Sequence, residues 1–364
     1  METAGSDYPG YIKLGQEMAK TKNTLPPLEL KQLKEAEVPG LAMQLARLVN
    51  ESISTNYGKE QVYAAQGLPF LVYNICTEIA TSKKIVIMTT PVSGSLVEAV
   101  TKSGKEVIFV ESDHRGMLTD DLQVECEENP VAFVYLNSRC LKTGTSKICP
   151  QRIKELLALQ EIHKFVIIED DCYADFYPVT PNMLMDKVKG TNAKVLYLRP
   201  LSIIEPNLYR TYMMAGPAKL VAAVREKCSF MGGLGPVHTL IVLKEVMERR
   251  ILHKLELKMK KYLRDLNARA YRILKESGLW EEKGISPEVG WYFVLCPLIG
   301  RFLENIIEIL LKMHFMVVDT TDNVGEGAED RGILISVANY IGSERLETDL
   351  LKLIRTLKSL IIIN

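Results

Sequence analysis

The chain has 364 residues, 45 basic and 45 acidic, with 47% apolar residues and seven cysteines. Its length suits one large domain with a smaller one appended, and its zero net charge excludes a protein that works by presenting a one-sign field to nucleic acid or an anionic membrane. Scattered cysteines without a CxxC pair fit the reduced thiols of a cytoplasmic protein, and five histidines far apart in sequence offer no metal-ligand spacing. The first residues lack a basic segment followed by an apolar run, so no signal peptide is expected. No apolar segment approaches the ~18 residues of a membrane span.

Residues 1–39 are polar and interrupted by Pro9, Pro26, Pro27 and Pro39, which reads as an N-terminal arm with a short helix near 28–37. An amphipathic helix is expected over 40–52, a short strand over 61–67 closing on Gly67, and a helix over 68–81 that tolerates Pro69 in its first turn. Strand and helix then alternate. Strands are expected at 84–91, 105–112, 130–137, 164–171, 194–200 and 211–217, with helices at 93–104 and 149–163. The strand segments are short, β-branched and apolar at nearly every position, as in strands buried on both faces of a mainly parallel sheet. This alternation predicts an α/β doubly wound domain over 40–275 that ends in a long helical stretch from about 236 to 277. A smaller α+β domain, 276–364, should hold strands at 290–297 and 332–339 and helices at 302–313 and 343–360.

In open α/β sheets ligands bind beyond the carboxyl ends of the strands. One such end is "KFVIIEDDCY", where Glu169, Asp170, Asp171 and Tyr173 follow an apolar run. Three carboxylates there cannot all be buried without partners. An arginine, a metal or a protonated heterocyclic nitrogen could face them, a metal being the weaker option without nearby histidines. The structural alternative is an ion pair or a helix N-cap.

"IIEDDCYADFY" resembles the "EDDxYxxxxxY" stretch of class I/II aminotransferases, the fold-type I pyridoxal phosphate enzymes, and most closely that of the MocR-like and 2-aminoadipate groups. Further segments are similar in order and spacing: "PGLAMQLARLV" at 39–49, "EQVYAAQGLPFLVYNI" at 60–75, "VYLNSRCLKTG" at 134–144, the helical run 236–274, "EVGWYFVL" at 288–295 and "ILISVANY" at 333–340. The resemblance implies the PLP-transferase fold, a homodimer and a cofactor site. In it Asp170 pairs with the ring nitrogen, Tyr173 contacts the ring's phenolic oxygen and Gly67 lies in the phosphate turn. A carboxylate that keeps the ring nitrogen protonated makes the cofactor an electron sink.

The resemblance also marks what is absent. In "VLYLRPLSIIEPNLYRTYMMAGP" the position of the Schiff-base lysine falls on Ser202 or Ile203. Neither carries an amine, and Ser202 could do no more than hydrogen-bond a ligand. The ring-oxygen partner is replaced by Leu141, the stacking aromatic by Ser93, a phosphate-binding N–H by Pro69 and the substrate-clamping arginine by Leu334. A leucine cannot form a bidentate clamp on a carboxylate. Arg210 stands one residue from the phosphate arginine's place, a shift that reverses a strand side chain, which leaves it a candidate phosphate ligand. The losses strike the site and spare the scaffold. The preferred reading is therefore a pseudoenzyme with no catalytic residues, binding a ligand non-covalently or pairing with a related subunit. An active pyridoxal phosphate enzyme with an atypical site is the alternative. Residues 1–39 are too short for the winged helix of MocR regulators, so no DNA binding is expected. Asn137, Ser138, Arg139 and Lys142 read as solvated loop rather than cleft lining.

Overall fold

The apolar runs become the strands of one central sheet. The computed structural model describes residues 38, 40–79, 82–89, 92–113, 115–137, 148–172, 184–188, 193–201, 211–231, 237–278, 292–295, 312, 317–319, 333–336 and 343–362. Its first strands are β1 (Val62–Gln66), β2 (Ile85–Thr89) and β3 (Glu106–Val110), followed by a small hairpin of β4 (Ser112–Asp113) and β5 (Gly116–Met117). Then come β6 (Val131–Asn137), β7 (Val166–Asp170), β8 (Val195–Pro200) and β9 (Thr211–Ala215). Hydrogen bonding orders the large sheet β1-β9-β8-β7-β6-β2-β3. The pairs β3–β2, β2–β6, β6–β7 and β7–β8 are parallel, and β9 runs antiparallel to both β8 and β1. The expected mainly parallel α/β architecture is therefore present, and the strand order reverses between β2 and β6.

Helices cover both faces, which is why the strands are apolar at nearly every position. The helices are α1 (Leu41–Ile53), α2 (Leu68–Glu78), α3 (Gly94–Lys102), α4 (Thr119–Glu128), α5 (Pro150–His163), the single turn α6 (Leu184–Lys187), α7 (Ala218–Phe230), α8 (Val237–Glu248) and α9 (Ile251–Ser277). Val86, Phe133, Ile168, Leu198 and Met214 pack under Leu71, Ile75, Leu96 and Val221 of α2, α3 and α7. On the opposite face Ile87, Val134, Ile167, Val195 and Met213 meet Leu45, Val49, Ile153, Leu156 and Leu243 of α1, α5 and α8. The α1 sequence buries Leu41, Leu45, Leu48 and Val49, a one-sided helical stripe. Pro150 occupies the first turn of α5, and the Cys149 thiol accepts the Arg152 N–H ahead of it.

Two helical expectations are corrected. No element was expected between 112 and 130, yet α4 lies there. It buries only Thr119, Leu122 and Cys126, a stripe too narrow to stand out among its acidic residues. The long helix expected over 236–277 is two helices. Arg250 takes the left-handed conformation, φ 56° and ψ 23°, which ends α8 and starts α9 in a new direction. Its guanidinium reaches Glu51 of α1 at 3.3 Å, so the junction is tied to the large sheet's helical cover.

A second, antiparallel sheet has the order β10-β12-β11, formed by β10 (Tyr292–Leu295), β11 (Val317–Asp319) and β12 (Ile333–Ser336). Helix α10 (Ser343–Ile362) follows, and its Glu347 accepts a bond from Arg269 of α9 at 2.9 Å. Strand β11 had no counterpart in the sequence reading. The helix expected at 302–313, apart from Lys312, and the arm 1–39, apart from Val38, lie outside the described residues. Among the described residues no helix is long and apolar enough to cross a membrane.

One turn depends on glycine. Gly116 in β5 has φ +120°, and a Cβ there would stand 2.9 Å from Ile148 Cγ1. Gly116→Ala should therefore lower stability by about 1–3 kcal/mol, read as a smaller urea midpoint at unchanged slope.

Candidate ligand site at the carboxyl ends of the strands

The carboxyl ends of β1, β2, β6, β7 and β8 share one edge of the sheet with the start of antiparallel β9. Glu169, Asp170 and Asp171 reach this edge at the end of β7, and none is more than 3% exposed. The alternation of a strand sends Glu169 and Asp171 to one face and Asp170 to the other. Glu169 accepts the N–H groups of Leu184 and Met185 at 3.1 and 3.2 Å, which is the helix N-terminal role weighed as the structural alternative. Asp171 accepts the Tyr197 hydroxyl at 2.7 Å. Neutral donors thus supply bonds to both.

Asp170 is held differently, on the other face of the sheet. Its Oδ2 accepts the Tyr135 hydroxyl at 2.5 Å, while its buried Oδ1 has no hydrogen-bond partner among the described residues. Burial pushes the carboxyl up to about 7; the Tyr135 hydrogen bond opposes this and the neighbouring Asp171 charge adds to it. A fully buried carboxylate with an open oxygen is costly to ionise. A positively charged donor placed at Oδ1 would remove that cost.

Polar groups from three strands gather around it. Tyr135 and Asn137 come from β6, and Asn137 Nδ2 donates to Cys172 Sγ at 2.9 Å. Tyr212, on β9, has its phenol held well above its ordinary range by burial and then by the charges of Asp170 and Cys172. Tyr135 is raised in the same way, burial first. The expectation for Asn137 is corrected, since it is the last residue of β6 and not part of a solvated loop. Tyr135, Tyr212 and Cys172 were missed altogether. The available signal was that Tyr135 and Asn137 sit two apart in "FVYLN", so they share a face at a strand's carboxyl end.

Farther along the same edge, Gly67 links β1 to α2 with φ +77°, and nothing lies within 4 Å of a Cβ built there. Conformation, not space, asks for glycine at this turn. Pro69 falls in the first turn of α2 and contributes no N–H. Ser93, just before α3, is exposed, and its hydroxyl pairs with that of Ser95 at 2.7 Å.

Residues 22–200 match the family model described as aminotransferase class I and II. Over these residues, just under half of the chain, the sequence is similar to the class I and II aminotransferases. Solved structures show the same fold. An archaeal alanine:glyoxylate aminotransferase superposes with a TM-score of 0.79 at 16% identity, over 95% of this chain and 87% of that one. The α-aminoadipate aminotransferase LysN from Thermus thermophilus, complexed with N-(5'-phosphopyridoxyl)-L-leucine, gives 0.78 at 18% identity, over 96% and 90%. A multiple substrate aminotransferase from Thermococcus profundus gives 0.77 at 18% identity, over 98% and 89%. No curated protein sequence matches the chain.

Of the positions singled out on this aminotransferase scaffold, Asp170 and Gly67 lie on the described sheet edge, together with Pro69 and Ser93. Tyr173, Leu141, Ser202, Ile203 and Arg210 lie outside the described residues. Leu334 pairs across the small sheet with Val294 on one side and Val318 on the other.

Proposed function

We propose that this chain is a pseudoenzyme of the aminotransferase family that keeps a non-covalent site for a pyridinium-type ring, pyridoxal phosphate being the ligand that fits the family. The observation that carries this reading is Asp170, which is buried, hydrogen-bonded through one oxygen and open at the other. Asp170 would hold the proton on the ring nitrogen. Gly67 and the first turn of α2 would face the phosphate, with Pro69 withholding one N–H. When bound, pyridoxal phosphate supplies an electron-withdrawing ring. The chain supplies no amine at Ser202 or Ile203 to anchor it and, at Leu334, no guanidinium for a substrate carboxylate. Aminotransferases of this family are commonly dimers, and pairing with itself or with a related subunit in the cytoplasm is the setting we infer.

Borohydride decides between this reading and an active enzyme. The protein is purified with added pyridoxal phosphate, its absorption spectrum is recorded, and it is reduced. The expected result is no reduced adduct on any lysine, together with reversible binding of pyridoxamine 5'-phosphate by calorimetry that Asp170→Ala abolishes. An aldimine band that borohydride removes, with the adduct mapped to one lysine, would establish the active alternative instead.

A further inference from the structure

We infer that Tyr135 is the positioning residue of this site, fixing which Asp170 oxygen faces the ligand and keeping that carboxyl ionised when the ligand binds. The inference rests on the reading of Asp170 as a ring-nitrogen partner, but the contact it starts from does not. Tyr135 and Asp170 come from adjacent parallel strands, with Tyr135 in register with Ile168 and Asn137 with Asp170. Both side chains are buried, at 4% and 3% exposure. The hydroxyl meets Oδ2 at 2.5 Å, so Oδ2 is occupied and Oδ1 is the oxygen left open.

The groups facing this carboxyl decide its charge. They are Tyr135 from β6, Tyr212 from β9, and Asp171 and Cys172 from the end of β7. Asp171 opposes ionisation, and a hydroxyl donor favours it because the bond is stronger to the charged form. Among these groups, Tyr135 is the one that holds the Asp170 carboxyl down against burial. A ring ligand with a protonated nitrogen needs the carboxylate. Tyr135 therefore widens the pH range over which the site can accept it, although its hydroxyl touches no reacting atom.

The test uses Tyr135→Phe, which removes one oxygen and keeps the ring that packs against the sheet. Binding of pyridoxamine 5'-phosphate is followed by calorimetry across roughly pH 5 to 9, a span that brackets a carboxyl titrating near neutrality. In Tyr135→Phe the acid-side loss of binding should move upward by about one pH unit, the tenfold change that ~1.4 kcal/mol of lost hydrogen bond represents. At the alkaline end the two affinities should converge. Affinity lowered equally at every pH would make Tyr135 a packing residue only and overturn the inference. If the wild-type protein binds no pyridoxamine 5'-phosphate at all, the functional reading fails, and Tyr135 is then judged without ligand. In urea unfolding, the fall of stability with rising pH should extend to a higher pH before it levels off in Tyr135→Phe, and the same substitution in an Asp170→Asn background should move nothing. An unmoved decline, or an equal shift in both backgrounds, would overturn it.

Discussion

Asp170→Asn should make the unliganded protein more stable near neutral and alkaline pH and confer no such gain in acid. The folded carboxyl titrates at about 7, against ~3.9 in an unfolded chain. The folded pKa is the higher one, so the folded state holds the proton over an interval where the unfolded state has lost it. The stability this group contributes is complete below roughly pH 4, falls as pH rises towards 7 and is gone above. The gap corresponds to about 4 kcal/mol. An amide does not titrate, so the variant escapes this loss. Its NH2 group would stand without a partner where Oδ1 now does, which costs ~1–3 kcal/mol. The net gain expected near pH 8 is therefore about 1–3 kcal/mol, with the difference vanishing or reversing near pH 4. Urea unfolding of both proteins at the two pH values measures it. A difference that is the same at both would mean that Asp170 does not titrate as its surroundings require. Adding pyridoxamine 5'-phosphate at the higher pH should stabilise the wild-type protein and leave Asp170→Asn unchanged, because a cation at Oδ1 removes the penalty that the amide never had.

The largest loss should follow from Glu256→Gln. Arg199 lies in the middle of the sheet at 2% exposure and meets Glu256 of α9 at 2.7 Å. Its other amino group donates to Ser52 Oγ of α1 at 2.5 Å, and Ser52 in turn donates to Leu48 O at 2.7 Å. One guanidinium thus joins β8, α1 and the long helix α9. Neutralising Glu256 removes a counter-ion from a buried guanidinium, a change that costs ~3–5 kcal/mol. Replacing both partners, as in Arg199→Met with Glu256→Leu, should restore most of that stability, since neither desolvated charge then remains. If the double variant is as unstable as Glu256→Gln alone, the pair contributes through shape rather than charge. This pair lies on the face opposite Asp170, because positions 199 and 170 point to different sides of the sheet. Its loss should weaken the attachment of α9 without altering the pH dependence attributed to Asp170.

Much of the scaffold was legible because its signals are local. A strand buried on both faces must be apolar at successive positions, as "VIMT", "FVYL" and "VLYL" are. A helix such as α1 must repeat its leucines every three or four residues. Gly67 marked a turn that needs positive φ, and Pro150 marked the start of α5. Where a local signal was thin the reading failed. Helix α4 buries three side chains out of ten residues, and the break between α8 and α9 turns on the conformation of Arg250, which no periodicity announces.

Residue type and order alone settle that an acidic run closes an apolar strand. What each carboxylate does is settled by the assembled fold. Glu169 is answered by the backbone of α6, Asp171 by Tyr197 and Asp170 by Tyr135. These donors lie 15, 26 and 35 residues from their acceptors in sequence, at separations set by strand register and not by any local pattern. Burial is likewise a property of the assembled sheet and its helices. It is burial on the sheet face opposite Glu169 and Asp171, beside the hydroxyl of Tyr135, that singles out Asp170 from two adjacent acids of nearly the same chemistry.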